Sequence, residues 1–103
     1  STVQEILADI PEQFLLSQNY PNPFNPTTKI DFALARTGDV NIVIYNLMGQ
    51  QVKTLVSESL HYGYHVITWN GLDDFGRTVP SGVYFSELRA KGFRDSKKML
   101  LLK

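Results

Sequence analysis

Two histidines, His61 and His65, are the first residues whose spacing could do chemistry, because ligands four residues apart can share one face of a helix and bind zinc. Here the pair flanks Gly63 at the start of a segment that alternates polar and apolar residues, and the chain has no cysteine. Such alternation predicts a strand rather than a helix. We therefore interpret both histidines as polar residues beside a turn, and we predict no metal site.

Two adjacent acidic residues, Asp73 and Asp74, lie between Gly71 and Gly76 and raise the question of calcium. A calcium loop of the EF-hand type needs acidic ligands at alternating positions and a terminal glutamate. Neither condition is met, whereas aspartate and glycine together are typical of tight turns. The segment predicts a turn.

Motifs for catalysis are missing from the sequence. There is no Gly-x-Ser-x-Gly elbow, no set of histidine and aspartate partners for a serine, and no glycine-rich phosphate loop. Counting carboxylates does not eliminate a glycosidase, but 103 residues leave little room for its cleft. We predict a non-catalytic protein without a cofactor or a small-molecule substrate.

Four aromatic residues, Tyr62, Tyr64, Tyr84 and Phe93, form the basis of an alternative function. If they were exposed on one face, their rings could stack on sugars. In a small β-protein, however, tyrosines commonly lie at sheet margins with the ring packed and the hydroxyl in water. Carbohydrate binding therefore stays an alternative, to be decided by where these rings lie.

The charge distribution is uneven although the net charge is zero, with ten basic and ten acidic residues. This balance gives no indication of nucleic-acid or membrane binding. Six basic residues nevertheless fall in the last fifteen positions, opposed there only by Asp95: Arg89, Lys91, Arg94, Lys97, Lys98 and Lys103. They are typical of an edge strand protected by lysines, or of a basic terminus that a partner recognises.

A proline-rich run at residues 19–30 (NYPNPFNPTTKI) precedes the regular part of the chain. Proline removes a backbone donor, and it pushes the preceding residue toward extended conformations. The run can therefore be neither a helix nor a central strand. We interpret it as a stiff segment that introduces the folded domain.

After this run, short alternating segments recur about every ten residues, which predicts an all-β sandwich or barrel. Residues 40–47 are apolar on both faces and predict a central strand. We expect an immunoglobulin-like antiparallel β-sandwich of about seven strands. Its core should hold Phe32, Tyr45, Trp69 and Phe85. The predicted strands are residues 14–17, 28–35, 40–47, 51–56, 64–70, 83–90 and 97–102, with polar or turn connections at 57–63, 71–82 and 91–96.

Four more segments follow the proline run: residues 44–55 (IYNLMGQQVKTL), 69–76 (WNGLDDFG), 81–84 (SGVY) and 97–103 (KKMLLLK). In that order they resemble the C-terminal sorting domain of proteins exported by the bacterial type IX secretion system, and the related FlgD-like immunoglobulin domains. Asn70 stands where that family often has aspartate. The resemblance covers roughly residues 14–103.

The resemblance implies a sorting domain at residues 14–103, joined by a linker at residues 1–13 to an upstream passenger domain. Such domains direct the passenger through the periplasm and across the outer membrane to the cell surface or extracellular space. The implied partners are the secretion machinery and a sortase-like peptidase that cleaves within or before residues 1–13. The implied recognition residues are Asn22, Pro23, Phe24, Asn25, Pro26, Gly82, Tyr84, Lys97, Lys98 and Lys103. A structural scaffold module is a further alternative.

Overall fold

The structure, a computed structural model, describes residues 10–103 and contains seven strands there. Most of the predicted linker at residues 1–13 thus lies outside the described residues. The strands are β1 (Leu15–Leu16), β2 (Thr28–Leu34), β3 (Gly38–Asn46), β4 (Gln51–Leu60), β5 (Gly63–Trp69), β6 (Gly82–Ala90) and β7 (Phe93–Leu101).

The strands form two antiparallel sheets that pack face to face, one with the order β1-β2-β5 and the other with the order β4-β3-β6-β7. Strand β3 pairs with β4 on one side and with β6 on the other, so it is central in its sheet. Its inner face is buried, whereas Val43 and Tyr45 on the outer face are half-buried. This architecture confirms the predicted all-β, immunoglobulin-like sandwich and the central position of residues 40–47.

The largest differences from the predicted strands are at β4 and β7. Strand β4 continues to Leu60, so most of the predicted polar connection at residues 57–63 is strand. Strand β7 begins at Phe93, so the predicted connection at residues 91–96 shrinks to the turn at Lys91 and Gly92. In both places most of the added side chains are polar and exposed, whereas Leu60 and Phe93 are half-buried against the core cluster. Polar side chains at an exposed edge do not prevent backbone pairing.

The core confirms Phe32 and Trp69, which are 2% and 0% exposed, but not Tyr45 and Phe85. The latter two are opposite each other on β3 and β6 and only half-buried. The neighbouring residue Tyr84 is buried instead, at 4% exposure. Because side chains alternate along a strand, the face of β6 that carries Tyr84 and Leu88 is the one that meets the opposite sheet.

The turn after Trp69 approaches the proline-rich run at Gly71. This glycine has φ +75°, and a Cβ atom placed there would lie 3.1 Å from the carbonyl oxygen of Pro26. Its backbone carbonyl accepts a hydrogen bond from the Val79 N–H at 3.1 Å. The position therefore requires glycine both for its conformation and for the close approach.

We expect Gly71→Ala to destabilise the domain more than Gly76→Ala. Both glycines have positive φ, near +75° and +80°, which costs a side-chain residue roughly 1–2 kcal/mol. Only at Gly71 would the added methyl group also crowd Pro26, because no atom lies within 4 Å of a Cβ at Gly76. The extra cost should be on the order of 1 kcal/mol. Urea unfolding of both variants measures the difference, and equal losses would contradict the contact with Pro26.

Candidate recognition surface

The proline-rich run is hydrogen-bonded along the last strand of the chain. The Phe24 N–H donates to the Leu100 carbonyl, and the Leu102 N–H donates to the Phe24 carbonyl, both at 3.0 Å. These bonds place Phe24 beside Leu101 as a parallel bridge at the outer edge of β7. One residue of the run thus serves as a very short additional strand of the four-stranded sheet.

Side chains of the preceding residues extend the same contact along β7. The Leu100 N–H donates to Asn22 Oδ1 at 3.0 Å. The Gln18 Nε2 group donates to the Lys98 carbonyl at 2.6 Å. Together with Phe24, these contacts occupy the outward backbone groups of β7 from the Lys98 carbonyl to the Leu102 N–H. The C-terminal half of this edge strand is therefore covered by residues 18–24.

The Phe24 ring anchors the run in the hydrophobic core. It is 2% exposed, and its centroid lies 5.7 Å from that of Trp69. The Trp69 ring in turn packs edge-on against Tyr84 at 5.3 Å, and its Nε1 group donates to the Leu72 carbonyl at 2.9 Å. Three aromatic side chains thus join the proline run, the turn after β5 and the start of β6.

The predicted recognition residues divide into buried and exposed groups. Phe24 and Tyr84 are buried, and the Tyr84 hydroxyl donates to the Pro80 carbonyl at 2.6 Å. Burial raises the pKa of this hydroxyl, so the phenol stays neutral. Gly82 is half-buried at the start of β6, paired with Leu101. These three residues have structural contacts that account for their presence.

The other predicted residues face water at the end of the domain where β7 ends. We define the terminal surface as the six exposed residues Asn22, Pro23, Asn25, Pro26, Lys98 and Lys103. The contacts of Asn22 with Leu100 and of Gln18 with Lys98 place the proline run directly beside the lysines. Among residues 10–103, neither Lys98 nor Lys103 forms an ion pair. Lys97 is only half-buried, with Nζ 3.8 Å from Asp95 Oδ2.

Glu87, which the sequence did not single out, neutralises part of the basic terminus. Its carboxylate accepts from Arg89 Nε at 2.8 Å and from Arg94 Nε at 3.0 Å. The two arginines are directly opposite each other on β6 and β7, a like-charge pairing that the shared carboxylate offsets. Only the strand register brings these residues together, so the charge count overestimated the free positive charge.

Both polar pairs in turns behave as the sequence indicated. The His61 carbonyl lies 2.8 Å from His65 Nε2, which links the two histidines across the turn before β5. Asp73 Oδ1 accepts from the N–H groups of Phe75 and Arg77, each at 2.9 Å. The hydrogen bond from the Arg77 N–H is the main cause of a lowered pKa at Asp73, and the Arg77 guanidinium adds to it.

The four aromatic residues of the carbohydrate alternative do not share a face. Tyr84 is in the core, whereas Tyr64 is 69% exposed on the other sheet. The Phe93 ring stacks on Phe14 with centroids 5.5 Å apart and is half-buried. Tyr62 packs beside His61 at 4.2 Å. A single coplanar platform of these rings is therefore wrong for this structure.

Across residues 10–103, histidine, aspartate and glutamate side chains nowhere gather in a group of three that could hold a metal ion. No helix in that range is long and apolar enough to cross a membrane.

Comparison with known families decides what kind of domain this is. The model of the FlgD Ig-like domain matches residues 18–92, more than half of the chain. The chain belongs to the FlgD Ig-like domain family. The matched region includes the proline run, strands β2 to β6 and the turn before β7. No curated protein sequence matches the chain.

Solved structures share the fold of this FlgD Ig-like domain. PorZ of Porphyromonas gingivalis, described as an essential bacterial surface component of the type IX secretion system, aligns with TM-score 0.59 and 18% identity over 89% of this chain. Dimeric latent PorU from the same species aligns with TM-score 0.62 and 20% identity over 86%. FlgD from P. aeruginosa aligns with TM-score 0.58 and 19% identity over 85% of this chain and 70% of its own. The chain spans only 12% of PorZ and 9% of PorU.

We expect Asn22→Ala to destabilise the domain by about 1 kcal/mol, because it leaves the Leu100 N–H without its partner at the strand edge. Asn25→Ala is the matched control, since Asn25 is also exposed and also precedes a proline. Its effect should stay within roughly 0.5 kcal/mol. Thermal unfolding of the two variants tests this, and equal losses would mean that the Asn22 contact contributes nothing.

Acidification should weaken the turn that Asp73 holds. Because the pKa of Asp73 is lower in the folded chain than in the unfolded chain, its stabilising contribution is present above the unfolded pKa. The contribution is lost as the pH falls through the folded value. The Asp73→Asn variant should therefore lose less stability between pH 5 and pH 2 than the unaltered chain does. This pH range is used because the pKa of aspartate is about 4 in the unfolded chain and lower at Asp73 in the folded chain. Urea midpoints measured across that range check the prediction, and identical slopes would contradict it.

Proposed function

We propose that this FlgD Ig-like domain is a non-catalytic C-terminal sorting domain that directs a secreted passenger across the outer membrane through the type IX system. It also supports attachment of that passenger at the cell surface. The observation that carries the proposal is the terminal surface. There the proline run and the C-terminal lysine segment, the first and last segments of the family resemblance, lie side by side. Residues 22–26 contribute exposed prolines and amides, and residues 98 and 103 contribute exposed cations.

This arrangement supports recognition because it is both rigid and chemically mixed. The buried Phe24 ring and the hydrogen bonds to β7 hold the proline run in one position. A partner therefore meets a pre-ordered surface and pays little conformational entropy in its recognition. The lysines give that surface a positive charge that can guide an acidic partner into contact.

The direction of the chain supports the same proposal. Phe14, just before β1, packs on Phe93 at the start of β7, whereas the terminal surface lies where β7 ends. A nine-residue strand spans about 30 Å. A passenger joined through residues 1–13 would attach at the far end of the sandwich and leave the terminal surface accessible. We also propose that a sortase-like peptidase cleaves the chain within or before residues 1–13.

The fold neighbours are compatible with this proposal. PorZ carries a domain of this fold and is itself described as a surface component of the type IX system. At 18% identity this likeness concerns the fold, so the functional assignment depends on the surface and on the family resemblance.

Export of a reporter tests the proposal. The full 103-residue chain, fused behind a periplasmic reporter protein in a host with a type IX system, should carry the reporter to the cell surface. Lys98→Ala should reduce the surface fraction about tenfold, which corresponds to roughly 1.4 kcal/mol of lost binding. Lys91→Ala removes the same charge from the exposed turn before β7, at the other end of the strand, and should leave export unchanged.

Two results would contradict different parts of this proposal. If the intact chain conferred no export, the sorting function would be wrong. If export were normal but Lys98→Ala and Lys91→Ala behaved alike, the terminal surface would be the wrong recognition site. Thermal unfolding of each purified variant shows whether any loss reflects folding instead of recognition.

A further inference from the structure

The sandwich is open on one flank, because three strands of one sheet face four strands of the other. Core-facing residues in the middle of the three-stranded sheet are fully enclosed: Ile30 and Phe32 of β2 are 0% and 2% exposed. Their equivalents on β5, Ile67 and His65, are only half-buried. Within the part of the chain that the structure describes, no strand lies beyond β5 to bury these two side chains.

The opposite wall of this flank is also apolar and incompletely covered. It belongs to β4, where Val52, Leu55 and Leu60 pack against the core cluster and yet stay half-buried. We define the open flank as the space between the free edge of β5 and these three side chains of β4. Its apolar lining would be stabilised by a further strand beside β5.

The hydrogen-bonding direction of β5 follows from the strand on its other side. The Ser17 N–H donates to the Asp31 carbonyl, and Tyr20 and Lys29 exchange two backbone bonds, so Asp31 and Lys29 point away from β5. Their partners on β5, Val66 and Thr68, must then form non-hydrogen-bonded pairs with β2.

The backbone N–H and C=O groups of Val66 and Thr68 consequently point outward from the edge of β5. Tyr64 does the same, because it is opposite Ala33, which pairs with Leu15 of β1. No other residue between positions 10 and 103 hydrogen-bonds to these outward groups. Three successive donor and acceptor pairs thus form a ready template for an extended chain.

Every other sheet edge has some protection. Residues 18–24 cover the end of β7, and the rest of that edge carries Arg94, Asp95 and Lys97. The edge of β4 has two irregularities in its register, and Asp74 occupies the Val52 carbonyl and the Thr54 N–H. Strand β1 has only two residues. By contrast, β5 is seven residues long, regular in register and free of Lys, Arg, Asp, Glu and Pro.

We propose that the free edge of β5 is a binding site for an extended segment of a partner protein, which adds as a fourth strand to the three-stranded sheet. The segment lacks Lys, Arg, Asp and Glu, as β5 does, and has apolar residues at alternate positions. The apolar residues of the segment fill the open flank and contact Leu55 and Leu60. The residues on its other face lie beside Tyr64 and Val66, which are 69% and 59% exposed. Main-chain pairing provides the affinity and the flank selects the side chains.

A second copy of this chain is a poorer occupant than a single strand. If two copies paired antiparallel through β5, their four-stranded sheets would lie on the same side, each with β4 as its edge strand beside the open flank. The two β4 strands would then compete for the space beneath the new pair. The site shares no residue with the terminal surface, which it approaches at the end of β5, where Trp69 packs on Phe24.

Hydrogen exchange on the full 103-residue chain tests the proposal with a defined probe. The probe is the capped peptide Thr-Val-Thr-Val-Thr-Val-Thr, and the control peptide has proline at all three valine positions. The first peptide should slow exchange of the Tyr64, Val66 and Thr68 amides by about tenfold or more, and the control peptide should have no effect.

The matched protein variants are Val66→Pro and Val66→Thr. Proline removes an N–H that points to solvent and breaks no bond with β2, so protection of the Ile67 amide should persist while peptide binding is lost. Threonine keeps the N–H and the branched shape and should bind as the unaltered chain does. If Val66→Pro fails to fold, Val66→Lys replaces it, because a charged edge also opposes strand addition.

Three results would overturn the proposal. The first is that millimolar peptide leaves the three amides unprotected, and the second is that it protects the β7 edge instead. The third is that the three amides are already protected without peptide. If that protection rises with protein concentration, the occupant is a second copy, and if it does not, the occupant is another part of this chain.

Discussion

The structure depends on the attachment of the proline-rich run to the last strand. Phe24 makes this attachment in two ways at once, since its ring is buried against Trp69 and its backbone pairs with Leu100 and Leu102. Burial of a phenylalanine side chain contributes about 1.5–3 kcal/mol, a large part of the stability of a domain of this size. The prolines contribute by limiting the conformations that the run can adopt before it docks.

This attachment unites the two ends of the domain sequence. Without it, the end of β7 would present unpaired backbone groups at Lys98, Leu100 and Leu102, which is a hazard for unintended pairing. With it, that edge is closed and only its side chains face a partner. Within residues 10–103 the same protection is missing at β5, so this part of the domain has one closed edge beside a charged surface and one open edge beside an apolar flank. These two surfaces differ in chemistry and suit different partners.

Two of the predicted recognition residues have structural contacts in the core. Tyr84 and Phe24 are part of the core, and their positions on the inner face follow from strand alternation and from the parallel bridge at Leu101. Glu87 lies among the basic residues and binds Arg89 and Arg94, which leaves Lys98 and Lys103 as the unpaired cations of the terminal surface within residues 10–103. Sequence could not show these distinctions, because each one depends on which residue lies opposite which across the sheet.

The sequence by itself determined the fold class, the central strand β3, the burial of Trp69 and Phe32, and the turns at His61 and Asp73. All of these depend on local alternation or on turn chemistry within a few residues. Only the tertiary structure decided the lengths of β4 and β7 and the contact between Asn22 and Leu100. It also decided that Tyr84, and not Phe85, is in the core. The Asn22 contact joins residues 78 positions apart, and the strand lengths and the choice of core face come from how neighbouring strands pair and how the sheets pack. Contacts between residues far apart in the sequence produce no local pattern, so the alternation of residues carries no signal for them.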